Sequence, residues 1–222
     1  INQRVEAKLF EGLKPFLPAT MDFSTFSNDK EGKNVGRMNS IAVGAEVADD
    51  IKTSAFWSVF LSLVAIFLYV FIRFRKISYS VGALVALFHD VLFLLGIFSL
   101  LHGIVPFSLE INQAFIAAVL TVIGYSLNDT VVVFDRIREF RLINKSWEFK
   151  KTVNSALNST LSRTLNTSFT TLVVLLAIFL FGGESIRGFM FALIVGVLVG
   201  TYSSVFIATP VMFDTLRKSL KK

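Results

Sequence analysis

The sequence predicts a membrane all-α fold, a five-transmembrane-helix bundle preceded by the C-terminal piece of an extracytoplasmic α+β domain. The chain of 222 residues is 54% hydrophobic with a mean hydropathy of +0.66. Its apolar residues form blocks of about 18 or more, long enough to cross a bilayer as helices. Lys and Arg cluster in the short links between the blocks. We therefore predict an outer domain piece at 1–50, a transmembrane domain at 51–213 and a basic cytoplasmic tail at 214–222.

The first fifty residues carry mixed secondary-structure signals. Residues 2–17 have apolar side chains near helical spacing and two prolines at the end, which predicts an amphipathic helix. Residues 21–26 and 35–43 are apolar runs separated by a turn-rich segment, which predicts two short strands. A segment this short does not close a core easily, so it is expected to be part of a larger domain.

The remaining sequence contains five apolar blocks. The fourth has a polar first half, and its apolar core at 172–181 is too short to span a membrane alone, so its helix must extend back through the Thr-rich stretch. Residues 136–158 are predicted to form an amphipathic helix between the third and fourth spans. The blocks run at about 55–72, 80–101, 113–134, 159–181 and 187–211.

The basic residues predict orientation. They concentrate in the links between spans one and two and between three and four, and in the tail, so these segments should face the cytoplasm. The chain is then a multi-pass membrane protein with its N-terminal segment outside the cytoplasm and its C-terminus inside it. The net charge of +6 is explained in this way and does not predict nucleic-acid binding. The chain has no cysteine, so no disulfide framework and no thiolate metal site are expected. We expect no cofactor other than a proton or a sodium ion as the coupling ion.

Ionisable side chains inside the spans are the main functional indication, because such groups are costly in a bilayer and usually face a partner or water. Asn128 and Asp129 lie in the third span. Arg163 and Thr167 lie on one polar face of the fourth span, with Ser159, Asn166 and Thr170. We expect Asp129 and Arg163 to approach each other and to act as a proton or sodium relay. The alternative is a static ion pair that orients two helices.

The second span contains Asp90, which is either a further relay member or a structural acceptor. Its neighbour His89 points about 100° away on a helix and is expected to make a buried polar contact. The fifth span carries small residues four apart, among them Gly188, Gly196, Gly200 and Ser204. Such a stripe allows close helix packing. The alternative is a surface that slides during a rocking motion.

Several segments containing these residues resemble the SecF family of protein-export membrane proteins, in the order in which that family carries them. The resemblance runs from about residue 35 to 210. Its segments are 43–46 (VGAE), 87–91 (LFHDV), 123–139 (IGYSLNDTVVVFDRIRE), 161–168 (LSRTLNTS), 181–189 (FGGESIRGF) and 200–204 (GTYSS).

The resemblance implies a SecF-type subunit, related to the resistance-nodulation-division superfamily, that couples a proton or sodium gradient to preprotein movement through the SecYEG channel. It implies partnership with SecD, as a separate or fused half, and with YidC and YajC, and it links Asp129 and Arg163 to ion flow. A family member has one more helix before its outer domain, so the chain is similar to the C-terminal part of SecF or of a fused SecDF. The resemblance implies a translocase subunit and not an enzyme, located in the bacterial inner membrane with its N-terminal segment periplasmic and its C-terminus cytoplasmic.

Three alternatives stay open from the residues. One is an exporter of small molecules or lipids from the same superfamily, which would carry larger outer domains. Another is an intramembrane aspartyl protease using Asp90 and Asp129, which would need both carboxylates on one water molecule. The third is a structural scaffold for the channel.

Overall fold

The computed structural model describes residues 3–17, 21–27 and 45–220. The chain forms two compact units, Ile1–Asp50 and Ile51–Lys222. Within the described residues, five helices are long and apolar enough to cross a membrane, which confirms the five predicted spans. The helices are α1 (Gln3–Leu13), α2 (Phe23–Ser27), α3 (Ala45–Phe74), α4 (Ile77–Leu101), α5 (Gln113–Ile143), α6 (Phe149–Phe181), α7 (Glu184–Ser203) and α8 (Thr209–Leu220).

The first unit corrects one sequence prediction. Residues 21–26 were predicted as a strand, but Phe23–Ser27 forms the short helix α2. The Phe10 ring lies 5.7 Å from the Phe23 ring and 5.3 Å from the Phe26 ring. A helical turn puts residues three apart on one face, whereas a strand would point them to opposite faces, so packing against α1 favours the helix. The predicted strand at 35–43 lies outside the described residues.

The connection between α5 and α6 also differs from prediction. We predicted a separate amphipathic helix at 136–158, but α5 continues to Ile143 and α6 begins at Phe149. Residues 125–143 include neither Gly nor Pro, so no such residue ends α5 before Asn144. The Phe149 ring stacks on Phe213 at 5.0 Å, which holds the first turn of α6. The predicted extension of the fourth span through the Thr-rich stretch is confirmed.

The fifth span contains a π-helical segment that the sequence did not predict. Ser204–Ala208 joins α7 to α8, and the Thr209 hydroxyl donates to the Ser204 carbonyl at 3.0 Å. The α4 residue Gly82 packs here: a Cβ atom at this position would lie 2.6 Å from the Ala208 carbonyl oxygen. The missing side chain therefore lets α4 reach the backbone of the π segment.

Helices α5 and α7 form the buried centre of the five-helix unit, and α3 is its most exposed helix. Glycines of α7 permit the central contact. A Cβ atom at Gly196 would overlap Val122, and one at Gly200 would lie 2.9 Å from the Ser126 Cβ. A Cβ at Gly188 would meet the Ser108 carbonyl. Small residues thus allow two membrane helices to approach closely where hydrophobic exclusion from water cannot drive them together.

Candidate functional site

Asp90 lies at a buried meeting point of three helices. It belongs to α4 and is 1% exposed. Its Oδ2 accepts a hydrogen bond from the Ser126 hydroxyl of α5 at 2.6 Å and from the Ser203 hydroxyl of α7 at 2.8 Å. Its Oδ1 lies 3.2 Å from the Nδ1 of His89, whose half-exposed ring reaches back despite the 100° offset. Asp90 therefore links α4, α5 and α7 through one carboxylate.

The close packing at Gly200 of α7 explains how two serines reach one oxygen of Asp90. Gly200 lies three residues before Ser203, and it packs directly on Ser126. Three residues along a helix bring the chain back to the same face. The close backbone approach at Gly200 thus places the Ser126 and Ser203 hydroxyls on the same side of the α5–α7 contact, where Asp90 enters from α4.

Asp129 is a second buried carboxylate, one helical turn along α5 from Ser126, or about 4.5 Å of rise. It is 4% exposed. Its Oδ2 is buried and accepts no hydrogen bond from the residues that the structure describes. The buried hydroxyls of Thr130 and Thr164 are likewise without a partner in that part of the chain. Because buried polar atoms are almost always hydrogen-bonded, such atoms call for an explanation, and a bound water molecule or ion is one.

Arg163 does not form an ion pair with Asp129 in the described chain, although its charge lies within electrostatic reach. The Arg163 side chain is exposed and lines an open cavity of about 330 Å³. Asp135, Arg136 and Glu139 line the same cavity from α5. The expected approach of Asp129 and Arg163 stays a prediction.

The polar face predicted for the fourth span points away from the bundle. Arg163, Asn166 and Thr170 are exposed, as is Asn128 of α5. The Thr167 hydroxyl bonds to the Arg163 carbonyl of its own helix at 2.9 Å. The face that α6 turns inward carries a different set of hydroxyl residues, Thr160, Thr164 and Ser168.

Hydroxyl pairs fasten α6 to its neighbours. Ser168 and Thr201 of α7 lie 2.6 Å apart, and Tyr125 of α5 donates to Thr171 at 3.2 Å.

Sequence reasoning missed Ser126 and Ser203, the two donors to Asp90. The available signal was spacing, because Ser126 precedes Asp129 by one turn and Ser203 continues the glycine face of α7.

Comparison with known proteins gives consistent matches. The family model described as protein export membrane protein SecD/SecF, C-terminal, matches residues 24–218. Protein translocase subunit SecF of Rhodothermus marinus is 59% identical over 172 residues, covering 78% of this chain and 56% of the relative. The same subunit of Petrotoga mobilis is 44% identical over 188 residues, covering 85% and 59%.

A solved structure agrees with these matches. The crystal structure of SecDF in a super-membrane-facing form resembles this chain with a TM-score of 0.69 and 38% sequence identity. The similarity covers 81% of this chain and 23% of that one. The chain thus spans less than three-fifths of the length of the two subunits and about a quarter of the solved protein.

Proposed function

The chain belongs to the SecD/SecF family of protein-export membrane proteins, and from that premise we propose that it serves Sec-dependent protein translocation as the membrane part of a SecF-type subunit. It is a multi-pass protein of the inner membrane. In this proposal it couples movement of protons or sodium ions through the membrane to movement of a preprotein through the SecYEG channel. The observation that carries the proposal is Asp129, a buried carboxylate with an unpartnered oxygen inside a span.

The two buried carboxylates have different surroundings, which supports different roles. Asp90 already accepts two serine hydrogen bonds on one oxygen, an arrangement suited to holding three helices together. Asp129 has an oxygen that accepts nothing in the described chain. A buried carboxylate oxygen of this kind offers a site for a proton or a sodium ion, so we assign the coupling ion to Asp129 and a positioning role to Asp90.

The exposed polar row of α6 supports a partner within the membrane. Arg163 and Asn166 lie on the outer surface of the described bundle, as does Asn128 of α5. Polar groups at membrane depth are rarely left facing lipid. In this proposal SecD, as a separate or fused half, covers this row, and Arg163 with Thr167 lines the ion path at the joint. SecYEG, YidC and YajC are further proposed partners.

The orientation that fits this role places the basic ends of the spans in the cytoplasm. Arg73, Arg141 and Arg217 lie in the last turns of α3, α5 and α8, on that side. The positive-inside tendency supports the assignment. The N-terminal unit would then face the periplasm, where a translocating chain emerges.

The decisive experiment is gradient-driven preprotein translocation into vesicles that contain the full-length parent protein with Asp129→Asn. The substitution preserves shape but removes the carboxylate. We expect gradient stimulation to be lost while ATP-driven translocation and assembly with SecD persist. Asp214→Asn is the control for removing a carboxylate, because Asp214 is exposed on α8 and does not line the cavity beside Arg163. Gradient stimulation that survives Asp129→Asn would assign a structural role to Asp129 and support the scaffold alternative.

The predicted meeting of Asp129 and Arg163 has its own test. Cysteines at both positions of a cysteine-free chain should crosslink in the assembled complex when the gradient is present. If no crosslink forms under any gradient, the two residues do not share the ion path, and Arg163 serves the helix interface alone.

A further inference from the structure

A small basic cavity lies where the α3–α4 turn meets the end of α5. It is open on one side and has a volume of about 250 Å³. It is lined by Phe74, Lys76, Tyr79, Arg138, Arg141 and Leu142. Half of these residues are cations, and none is acidic.

The positive charge of this cavity is not neutralised by the described chain. The nearby carboxylate of Asp135 is engaged by Arg73 at 2.9 Å. The Arg138 guanidinium donates only to the Arg73 carbonyl, at 3.3 Å, and Arg141 lies over the Phe149 ring. Lys76 makes no ion pair within the residues that the structure covers. Three cations therefore surround a space without a counter-ion.

Two further features point to an anion. Lys76 is the N-cap of α4, a 25-residue helix, and no side chain caps its first N–H groups. A helix start of this kind favours an anion through its free N–H donors and its dipole. Tyr79 is only 3% exposed, and its hydroxyl has no hydrogen-bond partner among the described residues. Its ring is fixed by stacking on Phe74 at 4.8 Å, so the hydroxyl is held in place as a donor.

Apolar side chains beside the cavity indicate that the anion is part of a lipid. Leu142 lines it and is 63% exposed, and Ile77 next to it is 58% exposed. The site lies at the ends of the three candidate spans α3, α4 and α5, where lipid headgroups are expected. We propose that this cavity binds the phosphodiester headgroup of an anionic phospholipid, with Lys76, Arg138 and Arg141 as counter-charges, Tyr79 as a hydroxyl donor and Leu142 against an acyl chain. Basic pockets between membrane helices are a known means of headgroup recognition.

The test is native mass spectrometry of the complete chain in neutral detergent, titrated with phosphatidylglycerol. Phosphatidylcholine serves as the zwitterionic reference. Each cation near a headgroup is expected to contribute about fivefold, so Lys76→Gln with Arg138→Gln should weaken phosphatidylglycerol binding about 25-fold. The control removes the same charge elsewhere, with Arg217→Gln and Lys218→Gln in the last turn of α8. An equal loss in the control would overturn the proposal, because it would mean nonspecific attraction.

A milder variant protects the test against misfolding. Tyr79→Phe keeps the ring that packs on Phe74 and removes only the hydroxyl, and should weaken phosphatidylglycerol binding about fivefold. Unchanged binding by Tyr79→Phe would exclude the cavity as the site. Competition experiments test the other ligands. If inorganic phosphate displaces the lipid at equal concentration, the site binds free phosphate. If an acidic peptide displaces it, the site belongs to a protein partner. Either displacement would overturn the lipid assignment.

Discussion

The serine hydrogen bonds to Asp90 make a quantitative prediction about stability. Ser126→Ala and Ser203→Ala each remove one donor from the same buried oxygen, at 2.6 and 2.8 Å. Hydrogen bonds to charged groups contribute about 1.5–3 kcal/mol in water-soluble proteins. Hydrogen bonds between membrane helices contribute less, about 0.6 kcal/mol on average and about 1.7 at most. The short distances and complete burial favour the upper end, so we expect each substitution to lower the free energy of unfolding by about 1–1.5 kcal/mol.

The double variant should cost more than the two single variants together. After one substitution the second serine still donates to Oδ2 of Asp90, whereas after both that oxygen has no donor. Only the double variant leaves this buried oxygen without any donor, so only the double variant includes the full desolvation cost of the oxygen. The interaction between the two sites should therefore be about 0.5 kcal/mol or more, as is usual for residues that share a partner.

The assay is reversible unfolding of the purified chain in mixed micelles, followed by circular dichroism as the denaturing detergent fraction rises. Ser62→Ala is the matched control, since the Ser62 hydroxyl bonds only to the Ser58 carbonyl of its own helix at 2.7 Å. That control should change the unfolding free energy by less than about 0.5 kcal/mol. If Ser126→Ala destabilises the chain no more than Ser62→Ala does, Asp90 does not join α4 to α5 as described.

Two further perturbations separate packing from surface charge. Gly196→Val should lower the free energy of unfolding by about 1–3 kcal/mol, because its side chain would overlap Val122. Gly124→Ala has open space around the new methyl group and should be neutral or stabilising. The same micelle titration measures both variants, and equal effects would contradict the close α5–α7 contact. Arg73→Gln breaks the 2.9 Å ion pair between Arg73 and Asp135, whose side chains are 47% and 38% exposed. It should lower the free energy of unfolding by less than about 1 kcal/mol at low salt and by still less at high salt. A large loss that does not depend on salt would show that solvent does not screen the pair.

The sequence could identify the spans because bilayer thickness imposes a length that a one-dimensional pattern records. All five apolar blocks became helices, and the polar first half of α6 was assigned to a span because ten apolar residues cannot cross a bilayer. Asp90 and Asp129 were also found this way, since a carboxylate in an apolar block is conspicuous. Local periodicity was less reliable at 21–26, where contact with Phe10 selected a helix over a strand.

The tertiary structure alone decided which polar face of α6 lies inside. The helix carries two hydroxyl-rich rows, and the sequence favoured the one containing Arg163 and Asn166. Packing buried the other row, with Thr164 and Ser168, because Ser168 meets Thr201 of α7. Periodicity defines the faces of a helix, but which face is buried depends on the neighbours that the fold brings to it.

Asp90 likewise shows what the sequence determines and what only the tertiary structure decides. The sequence determined that a costly charged group lies in the second span and left open whether it serves a relay or a helix contact. Its donors, Ser126 and Ser203, are 36 and 113 residues away in the chain. Serines are unremarkable in a membrane helix, and no local pattern predicts that two of them share one oxygen. That arrangement depends on the backbone approach at Gly200, which exists only once α5 and α7 have packed.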